Sequence, residues 1–282
     1  MAQMQETDPW APLARQFARA HYATIRGRVR THVIDAHLRA HLPPPPAALV
    51  DVGGGAGNQS IPLARSGYPV TIVDPSAAML AEAEASLAAE SRGVADRVRL
   101  VRAAARDASA ALGGRRFAGV LCHGVIMYVD DPRPFTTALA DLAEPGGIVS
   151  LVAKNALCLA ARPALEGRWD EALAAFDADR QVNGLGVDTR ADTVDELSVL
   201  LAAAGVEPVA WYGVRLFTDG WTPEDRLAGP VPGPPDGPGA ARADEAVFAV
   251  ELEASRRDPY RQLSRLFHLI GVRPRPCSAG PR

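Results

Sequence analysis

Four glycines fall within the nine residues Val50-Asp51-Val52-Gly53-Gly54-Gly55-Ala56-Gly57-Asn58, between an apolar β-branched run and a segment with helical spacing. Such a loop turns sharply from strand to helix and exposes backbone that side chains would otherwise shield from a ligand. Two familiar occupants fit poorly. No Gly-Lys-Ser/Thr ending follows, as a P-loop requires, and glycines at 53, 55 and 57 give G-x-G-x-G rather than G-x-G-x-x-G. Asp51, just upstream, would repel a pyrophosphate and attract a ligand carrying an ammonium group. A second carboxylate, Asp74 in Val73-Asp74-Pro75-Ser76, ends the next apolar run. It can accept both hydroxyls of a ribose, or cap the helix that Asp-Pro-Ser introduces.

Around this loop strands and helices alternate. Strands are expected at 47–52, 69–73, 98–101, 117–121 and 148–152, with helices at 59–65, 77–90 and 134–142. Gly146 and Gly147 are read as the break between the last helix and its strand. A βαβα succession folds as a mostly parallel sheet with helices on both faces and ligands at the carboxyl ends of the strands. Residues 9–42 read as helical, with Leu13, Phe17, Tyr22, Val29, Val33 and Leu38 on one periodicity, ended by the proline run 43–46. Residues 155–190 interrupt the rhythm and read as a lid or substrate-side insertion. A helix at 193–204, a strand at 206–211, a helix at 243–255 and a strand at 266–272 complete a seven-stranded sheet. The Pro/Gly run 229–239 is too poor in apolar residues to pack and is expected to be a mobile loop. The chain thus divides into a helical cap (1–46), a ligand-binding core (47–153), the insertion (154–191), the rest of the same domain (192–272) and a tail (273–282).

Composition narrows the function classes. No stretch reaches the roughly 18 uninterrupted apolar residues of a membrane span. The opening Met-Ala-Gln-Met-Gln-Glu-Thr-Asp lacks the basic and apolar regions of an export signal, so a cytoplasmic protein with no membrane partner is expected. Cys122, Cys158 and Cys277 are far apart and odd in number, which indicates neither a disulfide framework nor a metal site. A net charge of −3 offers nucleic acid no global attraction and leaves only local basic patches.

An acid followed by G-x-G-x-G, an acid ending strand two, Asp131-Pro132 beyond strand four and Glu144-Pro145-Gly146-Gly147 before strand five together resemble the class I methyltransferases. The resemblance covers residues 47–153 and implies a Rossmann-like α/β fold. It implies S-adenosyl-L-methionine as cofactor and S-adenosyl-L-homocysteine as product. Gly53, Gly54, Gly55 and Gly57 would pass under the methionine part near Asp51, Asp74 would hold the ribose, and Pro75 and Met79 would border it.

Further strings resemble one family, the carboxymethoxyuridine tRNA methyltransferases, which esterify the carboxylate of a modified wobble uridine. They are Tyr22-Ala23-Thr24-Ile25-Arg26-Gly27-Arg28-Val29-Arg30, His123-Gly124-Val125, Val129-Asp130-Asp131-Pro132-Arg133, Asn155, Gly213-Val214-Arg215-Leu216-Phe217-Thr218-Asp219, Asp258-Pro259-Tyr260 and Arg265-Leu266-Phe267-His268. This resemblance implies that Arg30 reaches the cofactor's carboxylate, Asp107 the adenine amino group and His123 the cavity floor. Tyr22, Tyr128, Asn155 and Arg215 would face the acceptor. Arg30 has a plainer alternative in solvating the N-terminal helix, and His123 in being a hydrogen-bonded structural histidine. One departure stands out: a lysine-rich stretch in the family's insertion is replaced here by Asp177-Ala178-Asp179-Arg180-Gln181-Val182-Asn183-Gly184-Leu185. RNA affinity rests on phosphate contacts. Arg26, Arg28, Arg133 and Arg215 remain to supply them, or to hold a small anionic metabolite. An ionised carboxylate needs no general base, whereas a hydroxyl or amine acceptor would make His123 the nearest one. The acceptors left open are tRNA, a small natural-product or metabolite acid, and none at all in a cofactor-binding regulator.

Overall fold

The computed structural model describes residues 11, 12, 14, 22, 24–183, 186–219 and 238–276. The strands in chain order are β1 Leu49–Val52, β2 Val70–Asp74, β3 Val98–Arg102, β4 Phe117–His123, β5 Ala143–Lys154, β6 Arg180–Val182, β7 Asp188–Arg190, β8 Glu207–Val214 and β9 Leu266–Val272. Seven of them form one sheet in the order β3-β2-β1-β4-β5-β9-β8, and β6 and β7 pair separately as a hairpin. The first five strands are parallel. β9 runs antiparallel to both of its neighbours, β5 and β8.

The helices are α1 Ile25–His41, α2 Ser60–Arg65, α3 Ala77–Leu87, α4 Arg92–Ala95, α5 Ala108–Ala111, α6 Pro132–Leu142, α7 Ala161–Leu165, α8 Trp169–Ala175, α9 Val194–Ala203 and α10 Pro238–Ala254. Strand side chains alternate between the faces of the sheet, so each face has its own core. On one face Val50, Val52, Val120 and Leu269 pack with Leu139 of α6 and Leu197 and Leu201 of α9. On the other, Leu49, Leu121, Val152 and Ile270 pack with Val29, Val33 and Leu38 of α1, Leu63 of α2 and Phe248 of α10.

Two boundaries differ from expectation for local reasons. α1 starts at Ile25, where Thr24 is the N-cap and its hydroxyl accepts from Gly27 N at 3.1 Å. Most of the earlier expected helix, residues 9–21, lies outside the described residues, as do 229–237 and the tail from 277. β5 begins at Ala143, so Gly146 and Gly147 lie within the strand rather than breaking the chain before it. The β4–β5 register slips between Phe117 and Gly119. A Cβ on Gly147 would stand 2.8 Å from the Phe117 carbonyl oxygen, so glycine is what the close approach requires.

Chain direction across the sheet reverses at β1, whose neighbours are β2 on one side and β4 on the other. The carboxyl ends of β1 and β4 therefore open a crevice, the usual ligand position in sheets of this kind.

Candidate functional site

The loop after β1 fills that crevice. Gly53, Gly55 and Gly57 have φ of +73°, +53° and +78°, which other L-residues adopt at a cost. Neighbours press on it as well: a Cβ on Gly53 would stand 2.4 Å from Val125 Cγ2, and one on Gly55 2.6 Å from Met79 Cε. Asp74, at the end of β2, pins the loop, accepting from Gly55 N at 3.0 Å through Oδ2 and from Ser76 N at 2.9 Å through Oδ1. Capping of α3 falls to Ser76, whose hydroxyl accepts from Met79 N at 3.1 Å. Asp51 is buried beneath the loop and accepts from Ser60 Oγ at 2.6 Å. Burial pushes its carboxyl up to about 6, against the pull of Ser60 and Arg30 and with a further push from Asp74.

An open cavity of about 660 Å³ lies over the loop. Gly53, Gly54, Gly55, Asp74, Pro75, Met79, His123, Tyr22 and Tyr128 all border it. Asp51 and Gly57 stand one layer back: Gly57 packs on Ile72 and Ile61, whose side chains a Cβ would approach to 3.1–3.2 Å. Arg30 is buried against the cavity wall rather than solvating α1. Its Nη2 donates to the His123 carbonyl at 3.1 Å and its Nη1 to Tyr22 Oη at 3.0 Å. Tyr128 Oη accepts from Asn183 Nδ2 at 3.0 Å, and burial pushes its phenol up to about 12. Ala56, Asn58, Gly124 and Val125, none of them among the site residues expected from the sequence, also border the cavity. Gly124 follows β4 directly and has φ +81°, and a Cβ there would approach Arg30 Nη2 to 3.4 Å. A glycine immediately after a strand was the available signal.

Three expected site residues stand elsewhere. Asp107 lies outside the cavity lining, with 62% of its side chain exposed and Arg106 Nε at 3.6 Å. Asn155 is buried and its capacity is filled: Nδ2 donates to the carbonyls of Gln262 and Ser264 at 2.8 and 2.9 Å, and Oδ1 accepts from Leu157 N at 3.1 Å. It ties the insertion to the turn before β9. Arg215 is buried in a left-handed backbone position (φ +64°) and ion-paired with Asp219.

Arg215 belongs to a larger group. Arg265 Nε lies 4.0 Å from the Asp219 carboxylate, and Arg26 Nη1 reaches the Asp219 carbonyl at 3.5 Å. Arg162, itself paired with Glu166, adds its field. Burial pushes the Asp219 carboxyl up, but Arg215, Arg265 and Arg162 hold it below the usual range. Arg215 and Arg265 thus flank the Asp219 carboxylate and Arg26 holds the carbonyl of the same residue, a local excess of positive charge. Glu251 fixes the loop that carries Arg215, accepting from Leu216 N, Thr218 N and Thr218 Oγ1 at 2.7–2.9 Å. The group sits at the carboxyl end of β5, since Val214 pairs with Leu266 and Leu266 with Lys154. Arg26 is one turn from Arg30 on α1, which places the group within a helical turn of the cavity wall but outside the cavity lining.

A glycine-rich loop at the switch point, an acid ending β2 and an antiparallel strand between β5 and β8 define a methyltransferase site. Residues 50–149 match the family described as "Methyltransferase domain". The chain is 31% identical to the ubiquinone biosynthesis O-methyltransferase of Cereibacter sphaeroides (strain KD131 / KCTC 12085) over 192 residues, 67% of this chain and 71% of that one. It is 28% identical to the tRNA 5-carboxymethoxyuridine methyltransferase of Escherichia coli (strain K12) over 265 residues, 93% of this chain and 95% of that one. In fold it resembles the magnesium protoporphyrin IX methyltransferase of Synechocystis, with a TM-score of 0.60 at 14% identity, covering 94% of this chain and 96% of that chain. The chain belongs to the class I S-adenosylmethionine-dependent methyltransferases. The site suits that cofactor: glycine backbone lies open where side chains would intrude, two acids are buried beneath it, and Arg30 stands at the wall. Among the described residues no helix is long and apolar enough to cross a membrane, and no cluster of metal-ligating side chains occurs.

Proposed function

We propose that this methyltransferase esterifies a carboxylate, and that the acceptor is a carboxymethoxy-modified wobble uridine of tRNA in the cytoplasm. The observation that carries the reading is the arginine group around Asp219, an excess of guanidinium charge within a helical turn of the cavity wall. A guanidinium fork pairs with a carboxylate better than any other side chain does. Bound S-adenosylmethionine supplies an electrophilic methyl group on a cationic sulfur. The chain's own residues do the rest. Asp74 holds the ribose, the glycine loop passes under the methionine part, Arg30 takes the carboxylate of that end, and the arginine group aligns the acceptor, so that proximity lowers the barrier. No general base is needed for an ionised oxygen. His123 would serve poorly as one, because burial and Arg30 hold it well below its usual range and its Nε2 already faces Ser150 Oγ at 2.8 Å.

The relative named for tRNA aligns along nearly the whole chain, which supports RNA over a small acid. The insertion lacks a basic run but exposes Trp169, Leu173 and Phe176 in and just beyond α8, at helical spacing on one face. Aromatic side chains of that kind can stack on unpaired bases. The test is methyl transfer to tRNA from a strain deleted for this gene. The product should be an alkali-labile ester on the wobble uridine, and Arg215→Ala should raise KM or lower kcat with S-adenosylhomocysteine affinity unchanged. An alkali-stable methyl on nitrogen or carbon refutes the carboxylate. Esterification of a small acid but not of tRNA refutes the RNA.

A further inference from the structure

A continuous line of side chains runs from the cavity through three adjacent strands and into the helix layer behind them. His123 Nε2 on β4 lies 2.8 Å from Ser150 Oγ on β5, and Ser150 Oγ lies 2.7 Å from His268 Nε2 on β9. His268 Nδ1 faces His37 Nδ1 of α1 at 3.2 Å, and His37 Nε2 lies 2.9 Å from Ser255 Oγ, just beyond α10. Ser255 Oγ is in turn 2.6 Å from the Leu252 carbonyl oxygen.

That last contact sets the direction of every other one. A carbonyl only accepts, so the Ser255 proton points at Leu252 and Ser255 must accept from His37 Nε2–H. Burial, Arg256 and His41 pull His37 down to about 3, and burial holds His268 and His123 well below their usual range. Each ring therefore carries a single proton near neutrality. His37 Nδ1 then accepts from His268 Nδ1–H, His268 Nε2 accepts from Ser150 Oγ–H, and Ser150 Oγ accepts from His123 Nε2–H. The chain ends at His123 Nδ1 as a bare lone pair, and this atom is buried without a hydrogen-bond partner in a residue that borders the cavity.

We propose that His37, Ser150, Ser255 and His268 are positioning residues that lock His123 into one tautomer, so that its Nδ1 accepts a hydrogen bond from the ammonium group of the bound cofactor. The ammonium is the donor of S-adenosylmethionine whose place fits, a step that rests on the cofactor seating proposed above: with the carboxylate on the same carbon at Arg30, the ammonium comes near His123, whose carbonyl is hydrogen-bonded to Arg30 Nη2. Buried unpaired polar atoms of this kind are rare unless something meets them.

The tautomer is read directly by nitrogen NMR of protein labelled in its histidines, and affinity by calorimetry with S-adenosylhomocysteine, which keeps the ammonium group. In the wild type His123 should carry its proton on Nε2, and ligand should shift the Nδ1 signal. Ser255→Ala orphans the His37 N–H, so the chain reverses, His123 gains a proton on Nδ1, and affinity falls about tenfold, the worth of one hydrogen bond to a charged group. Ser255→Thr keeps the hydroxyl and should restore both readings. In a Ser150→Ala background, where the line is cut, adding Ser255→Ala should change nothing further at His123. A wild-type His123 protonated on Nδ1 overturns the proposal, and that spectrum decides the matter even if Ser255→Ala fails to fold. Weaker binding in folded Ser255→Ala with an unchanged His123 tautomer also overturns it, since packing alone would then account for the loss.

Discussion

Asp51→Asn removes a negative charge that the fold holds under the glycine loop. The wild-type carboxyl moves from 3.8 to about 6 on folding. Between those values the unfolded chain has released the proton and the folded chain keeps it, so wild-type stability falls as pH rises through the window. At 1.36 kcal/mol per unit the penalty is about 3 kcal/mol once pH exceeds the folded value. That penalty is net of the charge-assisted bond from Ser60, and asparagine keeps an acceptor for the Ser60 hydroxyl. The expected outcome is a variant more stable than wild type by about 3 kcal/mol at pH 7.5, with most of the advantage gone near pH 4. Denaturant melts of both proteins at half-unit pH steps measure the difference, in which all other titrating groups cancel. The same substitution should weaken S-adenosylhomocysteine, because the carboxylate that favours the ammonium is gone. Parallel stability curves from pH 4 to 7.5 would refute the reasoning, as would an Asn variant that is less stable throughout.

Asp74→Ala leaves the Gly55 and Ser76 N–H groups without their acceptor, so it should lower stability as well as weaken S-adenosylhomocysteine by about 1–3 kcal/mol. Calorimetry on the folded fraction checks this, and full affinity there would remove Asp74 from the ribose. Gly53→Ala forces φ +73° on a residue with a Cβ and sets that Cβ against Val125, so it should destabilise by about 1–3 kcal/mol and abolish methyl transfer. Thermal melts and a transfer assay read both effects.

The parallel half of the sheet was legible because each strand is a short apolar run and each turn carries glycine or an acid. Periodicity also located β8 and β9, but not their order in the sheet, since pairing partners depend on contacts far apart in sequence. The cavity residues after β1 and β2 were legible because glycine and aspartate have few other reasons to stand there. Asn155 misled, because a polar residue at a strand end suits a buried turn as well as an acceptor. The arginine group was only partly visible: Arg26 and Arg215 stood out singly, while Arg162 and Arg265 join them through the packing of the insertion and β9. No pattern in the sequence announces the histidine line, whose members lie on α1, β4 and β9 and meet only when the sheet is assembled.

The place of β9 has a consequence for how the protein is made. It is the last of the described strands, yet it sits inside the sheet, joining β8 to β5. While the ribosome is still short of residue 266, β5 has β4 on one side and an open ladder on the other. Its 148–154 stretch is wholly buried in the finished fold, so the nascent chain displays an apolar edge of the kind that recruits other strands. Chains that stop before β9 therefore carry an aggregation template, and the time taken to translate the stretch between β5 and β9 decides how long every chain does.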